Sequence, residues 1–341
     1  LIGMNDNPPA AEAETDRVGS IENGVLFGSD QTLFLADGGH KVLDYCLGRL
    51  APSADSIANF LKNIGDRARQ SAAIDANYAH LISPDKQSVL LGNFPFPEPI
   101  RLGELYLAQA GELSGRLVYP VRQLMESPRQ TYQKTDTHMT DAGTIISAEA
   151  ALATLTGSPQ TQFADDLNAR VTGLERWVGD LGSKLEPQRS EIRQTLKGGP
   201  RTIWLHNDLV GGNNGIIDII FNPSRPPDRR LLIFGDSFGR DLARVLSHAF
   251  FQTVFLRSPY FYPDIVSAVR PTDIISQNVE RYLTDCVLDE ARPSFFMHPH
   301  LSGLDYRPSK TFAEAFSAVL SFGRPPYSRF LDSLNLQEAS G

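Results

Sequence analysis

RLLIFGDSFGRDLARVL, Arg230 to Leu246, changes its repeat half-way along. Leu231 to Phe234 is an unbroken apolar run of strand length, and Gly235-Asp236-Ser237 is turn chemistry. Beyond the turn, Leu242, Leu246, Ala249 and Phe250 share one face at helical spacing. Strand, tight turn and helix in that order are the unit from which layered α/β folds are assembled. A serine at such a junction exposes its hydroxyl, and its own amide and the helix dipole face any oxyanion that forms there. Serine is also a frequent helix cap, so the tripeptide alone leaves nucleophile and cap both open.

Working outward, the same layering recurs. Gly24 to Leu35 holds two β-rich bursts around a Gly-Ser-Asp turn and predicts a hairpin. Ile57, Phe60, Leu61 and Ile64, behind Ser53, predict an amphipathic helix to about Ala73. Tyr78 to Ile82 is a short strand stopped by Pro84, and Thr140 to Leu155 is a helix capped by Thr140 or Asp141. Gln160 to Leu196, with Phe163, Leu167, Val171, Leu174, Trp177 and Val178 among alternating charges, reads as helices broken at Gly179 to Gly182. Strands are expected at Thr202 to Leu205, Ile216 to Phe221, Leu231 to Phe234 and Asp273 to Val279. The sum is one α/β domain whose mainly parallel sheet is flanked by helices, with its site at the carboxyl ends of the strands.

Composition narrows the class. The chain has 341 residues, 41% hydrophobic and 21% charged, enough for a large core. Its net charge of −8 and the lack of a basic run argue against binding nucleic acid. No run of 18 apolar residues occurs, so no membrane span is expected. The two cysteines, Cys46 and Cys286, form no C-x-x-C pair, which excludes zinc ribbons and thioredoxin-like sites. Free thiols are the expectation, with one long-range disulfide the alternative. His298 and His300 lack an acidic or histidine partner nearby in sequence, and neither metal nor cofactor is expected. Residues 1–20, rich in proline, alanine and acids, read as a flexible leader without the basic start and apolar centre of a secretory signal.

A serine nucleophile needs a histidine base, and that histidine needs a third group to fix its tautomer. YQKTDTHMTDAG, from Tyr132, supplies both: Asp136 and His138 stand at i and i+2, which in an extended loop point the same way. Taken alone the pair could equally decorate the start of the helix at Thr140.

Together these pieces resemble a family. TDTHMTDAG is similar to the D-T-H-W motif, and LLIFGDSFG to the GDSF block, of the AlgX/AlgJ-like SGNH polysaccharide (alginate) O-acetyltransferases. ISPDKQSV, VGDLGSKLEP and NVERYL resemble that family's P-D-K, G-D-L-G and E-R-Y-L segments in the same order, over roughly Gly24 to Leu283. The order is permuted relative to ordinary GDSL hydrolases, since the D-x-H pair precedes the serine.

The resemblance implies an SGNH-hydrolase-like catalytic domain over residues 21–325 and a loosely packed tail over 326–341. It implies Ser237 as nucleophile, His138 as general base and Asp136 as orienting acid. Met139 stands where the family usually has tryptophan, so an aromatic wall toward the acceptor is expected to be replaced there. Arg281 is expected either to pair with an acid or to meet a sugar carboxylate. Tyr132 is expected either to stack on a sugar or to join the core. Asp85 and Lys86 read as a locally paired turn, and the loop His206 to Asn214 as a contributor to the acceptor site. The implied activity moves an acetyl group through acyl-Ser237 onto hydroxyls of a bacterial exopolysaccharide. It would work outside the cytoplasm with a membrane-bound acyltransferase as acetyl supplier. A carbohydrate acetylesterase would use the same residues, and a non-catalytic polysaccharide-binding subunit would need none of them.

Overall fold

In the computed structural model, which describes residues 17–199 and 201–334, the Leu231–Phe234 run lies inside a buried central strand. The strands are β1 (Ile21–Glu22), β2 (Val25–Phe27), β3 (Leu33–Leu35), β4 (Asn77–Ser83), β5 (Leu117–Val118), β6 (Val171–Trp177), β7 (Glu191–Leu196), β8 (Ile203–His206), β9 (Ile217–Phe221), β10 (Arg230–Gly235), β11 (Gln252–Arg257) and β12 (Asp273–Val279). Seven of them form one sheet in the order β5-β4-β12-β10-β11-β9-β8. The pairs from β5 to β11 are parallel, whereas β9 and β8 close one edge antiparallel. The central strands are buried on both faces, which is why they read as continuous apolar runs.

Five helices matter below: α1 (Ala54–Ala72), α2 (Asp141–Thr156), α3 (Ser237–Leu246), α4 (Lys310–Val319) and α5 (Pro325–Ser333). On one face of the sheet, Phe60 and Ile64 of α1 pack with Tyr78 and Ile82 of β4 and with Leu232 and Phe234 of β10. On the other face, Ile145 and Leu152 of α2 and Leu242 and Leu246 of α3 cover Leu81, Ile233, Phe255 and Ile275. The capping serine and threonine act as expected: Ser53 Oγ accepts the Ser56 amide at 3.0 Å, and Thr140 Oγ1 accepts that of Gly143 at 3.2 Å.

Three expectations are corrected. Gln160 to Leu196 holds only a short helix, Thr161–Asn168, after which β6 and β7 pair as an antiparallel ribbon. Its residues alternate by two, with Leu174 and Ile192 exposed, and interspersed charges imitated a helix surface. The central strand β11 had no turn signal before it, because Phe250 to Leu256 continues the apolar run that follows α3. Part of the anticipated loose tail is helix α5, held by the buried Tyr327, whose hydroxyl donates to Gln252 Oε1 at 2.9 Å. The remainder of the tail, 335–341, and the leader up to residue 16 lie outside the described residues. Cys46 and Cys286 are both free thiols, and burial pushes the Cys46 thiol up to about 12.

Candidate active site

β10 ends at Gly235 and α3 begins at Ser237, so the whole reversal falls on Asp236. Asp236, not Ser237, caps the helix: its carboxylate accepts the Phe238 amide at 2.9 Å and the Val279 amide at 2.6 Å. The cap reading of Ser237 is thereby removed, and its hydroxyl is left for another partner. Gln277 of β12 clamps the turn from the neighbouring strand, its Oε1 accepting the Asp236 amide at 3.1 Å. A Cβ on Gly235 would lie 2.6 Å from that oxygen, and one on Gly239 would lie 2.7 Å from it, so both glycines make room for the clamp.

The second half of the site is a backbone hairpin. Gln133 N donates to His138 O at 3.1 Å, and Thr140 N to Thr131 O at 2.9 Å, which places Asp136 and His138 at its tip. His138 Nδ1 lies 2.7 Å from Asp136 Oδ1, and His138 Nε2 lies 2.8 Å from Ser237 Oγ. A carboxylate on Nδ1 fixes the proton there and leaves the Nε2 lone pair for the serine hydroxyl. The imidazole also stacks on Phe238, with ring centroids 4.7 Å apart.

Asp136 has no open lone pair to spare. Its Oδ1 also accepts the His138 amide at 3.0 Å, and its Oδ2 accepts the Trp177 indole N–H at 3.0 Å and the Asp180 amide at 3.2 Å. Burial raises its pKa, but the hydrogen bonds and charge of His138, aided by Trp177, outweigh this and hold the carboxyl well below its ordinary range. For His138, burial lowers the pKa, and the hydrogen bond and charge of Asp136, with Asp241 and Asp180 behind, raise it further than burial lowers it. Asp136, His138 and Asp180 also bring ligand atoms within 4.8 Å of one another. Both Asp180 oxygens accept from Thr137, at 2.7 and 2.5 Å, so the cluster is a hydrogen-bonded one.

The G-D-L-G segment explains why the tip stays put. Leu181 N and Gly182 N donate to Thr135 O at 3.1 and 2.8 Å, and a Cβ on Gly179 would sit 2.2 Å from that same oxygen. Glu191 accepts the amides of Lys134 and Thr135 at 2.9 and 2.7 Å. From below, the buried Lys86 donates to Leu33 O at 2.7 Å and Lys134 O at 3.3 Å, and desolvation lowers its pKa to about 8. Trp177, Asp180, Glu191, Gln277 and Lys86 thus support the site; the sequence assigns no role to the first four, and Lys86, expected in a locally paired turn, instead donates to carbonyls 53 and 48 positions away. For Gln277 the available signal was an amide in the middle of a buried strand.

Three of the anticipated sugar contacts, Tyr132, Met139 and Arg281, fall elsewhere. Tyr132 is fully buried and donates to Pro84 O at 2.5 Å, so it offers no face to a ligand. Met139 is 7% exposed and takes a contact from Ser147 Oγ at 3.4 Å on its sulfur, so it is core rather than a wall of an acceptor groove. Arg281 pairs with Asp85 at 2.5 Å, both side chains buried, which makes the pair a long-range ion pair rather than a local turn or a sugar grip. His298 Nε2 is engaged by the Tyr262 hydroxyl at 2.8 Å. In the His206 to Asn214 loop, His206 pairs with Asp208 at 2.8 Å at the surface and Asn207 pins the loop through Gly215 O and Ile217 N, while its far end, Asn213 and Asn214, lines the cavity that borders Gly235 and Asp236.

Beside the turn lies a cavity of about 350 Å³ at the carboxyl ends of β10, β11 and β12, with Gly235 and Asp236 in its wall. Its wall stops at Asp236, the residue before the serine, and includes neither Ser237 nor His138; Phe238, on which His138 stacks, packs with Met139 on the α2 and α3 side.

A mainly parallel seven-stranded sheet, helices on both faces and a serine at the strand-to-helix turn make a layered α/β fold of the SGNH-hydrolase-like kind. No family model matches the chain, and no curated protein matches it in sequence. Solved structures share its fold. PatB1 of Bacillus cereus, solved with a sulfonyl adduct, superposes with a TM-score of 0.53 at 12% identity, covering 76% of this chain and 97% of its own. A DHHW family protein from Eubacterium siraeum gives 0.52 at 14% identity, covering 78% and 94%. The O-acetyltransferase domain of Pseudomonas putida AlgJ gives 0.50 at 16% identity, covering 80% and 97%. The fold implied by the motif resemblance is therefore the fold observed, and at these identities the likeness is one of fold.

Proposed function

We propose that the chain is an O-acyltransferase that carries an acetyl group on Ser237 and delivers it to a carbohydrate hydroxyl. The observation that carries this is the row Ser237, His138, Asp136, joined at 2.8 and 2.7 Å. His138 Nε2 takes the Ser237 proton as Oγ bonds to the acyl carbon, and the collapsing intermediate expels the donor's oxygen, which takes that proton from His138. The acceptor hydroxyl then repeats the step in reverse, losing its proton to His138 and freeing Ser237. The amide of Ser237, first in its helix, has no intrahelical acceptor and serves as one oxyanion donor.

The fold neighbours support the same reading, since one of them is the O-acetyltransferase domain of AlgJ. In this reading the acceptor is a bacterial exopolysaccharide such as alginate. The chain works outside the cytoplasm, with acetyl groups passed from a membrane-bound acyltransferase. No helix among the described residues is long and apolar enough to cross a membrane.

The test is intact-protein mass spectrometry with an activated acetyl ester, with and without sugar oligomers. An acetyl adduct that is absent in Ser237→Ala, and that sugar discharges faster than water, is expected. An adduct that only water removes, across a broad acceptor panel, would make the chain an esterase.

A further inference from the structure

The 350 Å³ cavity that has Gly235 and Asp236, the two residues before Ser237, in its wall is far larger than an acetyl group needs. A buried methylene displaces about as much space as a water, ~30 Å³, so a six-carbon chain fills about half of it. Its position suits the acyl side of the reaction. Strand alternation puts His80 and Asn278 on the α1 face of the sheet with Tyr78 and Ile82, whereas Phe238, on which His138 stacks, packs with Met139, Ser147 and Leu242 on the α2 and α3 side. With the base on one side of the Gly235 to Ser237 turn, the cavity is the space on the other.

Its lining decides what can enter. Phe60, Ile64, Cys286 and Val287 supply apolar walls. The polar side chains deeper in are already paired within the protein. Asn63 donates to Val287 O at 2.8 Å and accepts from Asp289 N at 2.9 Å. Arg67 forks onto Asp289 with both bonds at 2.7 Å. His80 uses both ring nitrogens, on Ser276 and Asn278 at 2.7 and 2.8 Å, and the Asn278 amide donates to Val279 O at 2.9 Å. A sugar ring buried here would lose water from its hydroxyls and find those partners taken, a cost that a hydrocarbon chain does not incur. At the loop side Arg257 and Asn213 meet only at 3.4 Å and form the polar border.

We propose that this cavity receives the hydrocarbon tail of an acyl group longer than acetyl, about four to eight carbons, while the group is esterified to Ser237. The proposal rests on the acyl-Ser237 reading and widens its donor. In the step itself, Ser237 Oγ bonds to the acyl carbon, the carbon–oxygen bond to the donor breaks, and the serine proton passes through His138 to the departing oxygen.

The experiment compares p-nitrophenyl acetate, butanoate and hexanoate at limiting concentration, following acyl-Ser237 by intact mass. Transfer of each methylene out of water favours binding about fourfold, so with four more methylenes, and even with only half of that free energy realised, hexanoyl is expected to load at least about tenfold faster than acetyl. Val287→Trp, at a half-exposed position on the rim, is expected to cut the hexanoyl-to-acetyl ratio by at least about tenfold. Cys286→Leu should lower it through the same wall should the first variant melt early. Acetyl loading as fast as hexanoyl, or a ratio that neither variant moves, overturns the proposal and leaves the nucleophile intact. Loss of every adduct, or adducts that persist in Ser237→Ala, overturns the nucleophile and this inference with it.

Discussion

The indole N–H of Trp177 donates to Asp136 Oδ2 at 3.0 Å, on the carboxylate oxygen that His138 does not use. An exposed two-stranded ribbon thus reaches into the site and fixes the rotation of the carboxylate behind His138. Hydrogen bonds to charged groups are worth about 1.5–3 kcal/mol. Trp177→Phe is therefore expected to cost stability of that order and, because the carboxylate behind His138 loses its orientation, to slow Ser237 acylation about ten- to a hundredfold at temperatures where the variant is fully folded. Single-turnover acylation is the measurement, and an unaltered rate would show that the indole does not orient Asp136.

The pH dependence follows from the groups around His138. Burial lowers its pKa, and Asp136, Asp241 and Asp180 more than compensate, so the net shift is upward from 6.5. In the proposed mechanism His138 acts as a base only when neutral, so acylation should fall as pH drops, with its midpoint above about 6.5. Asp136→Asn removes the nearest charge and the tautomer lock together. Its midpoint is expected to move down while the plateau falls by about three to four orders of magnitude, the size seen when a comparable acid is lost. A parent midpoint below 6.5 would contradict the assigned pair.

Much of this was legible in the sequence, and the parts that were not share a cause. Strand length, cap residues and the change of period at Gly235 report local preferences, and β4, β10, β12, α1 and α2 formed where those preferences pointed. Ser237, Asp136 and His138 could be paired because nucleophilic chemistry restricts the residue types. Trp177, Lys86 and Gln277 could not be placed, since each acts through a contact of 41 or more positions, or through a carbonyl that has no side-chain signature. Tyr132 and Met139 went astray for the converse reason: adjacency to the D-x-H tip in sequence suggested exposure, yet the hairpin turns both side chains inward.

Lys86 carries a stability signature of its own. Desolvation lowers its folded pKa to about 8, below the unfolded value of about 10.4. Between those values the unfolded chain binds more protons, so this group's contribution to stability rises with pH across that window and is flat below it. The gain is of order 3 kcal/mol in total. In Lys86→Met that rise is absent, and the parent-minus-variant difference from urea unfolding should grow by about that amount between about pH 8 and pH 10.4. A flat difference would mean that the ammonium keeps water in the folded state.

Arg281 and Asp85 test whether the late E-R-Y-L segment binds substrate or holds the fold. Both side chains are nearly excluded from solvent, 10% and 8% exposed, and lie 2.5 Å apart. Desolvation lowers the arginine pKa, but the charge of Asp85 raises it further, so the guanidinium stays charged. Removing one partner strands the other charge in a low dielectric, which typically costs about 3–5 kcal/mol. Arg281→Ala should therefore lower the melting temperature sharply, and Arg281→Lys should do so less, because the charge survives while the planar fork is lost. Replacing both partners together, Asp85→Leu with Arg281→Met, should recover much of the loss, since no charge then remains unpaired. Acceptor dependence of sugar acylation should stay at the parent value in Arg281→Lys at temperatures where the variant is folded. A raised acceptor Michaelis constant with an unchanged melting temperature would return Arg281 to the substrate and remove the structural assignment.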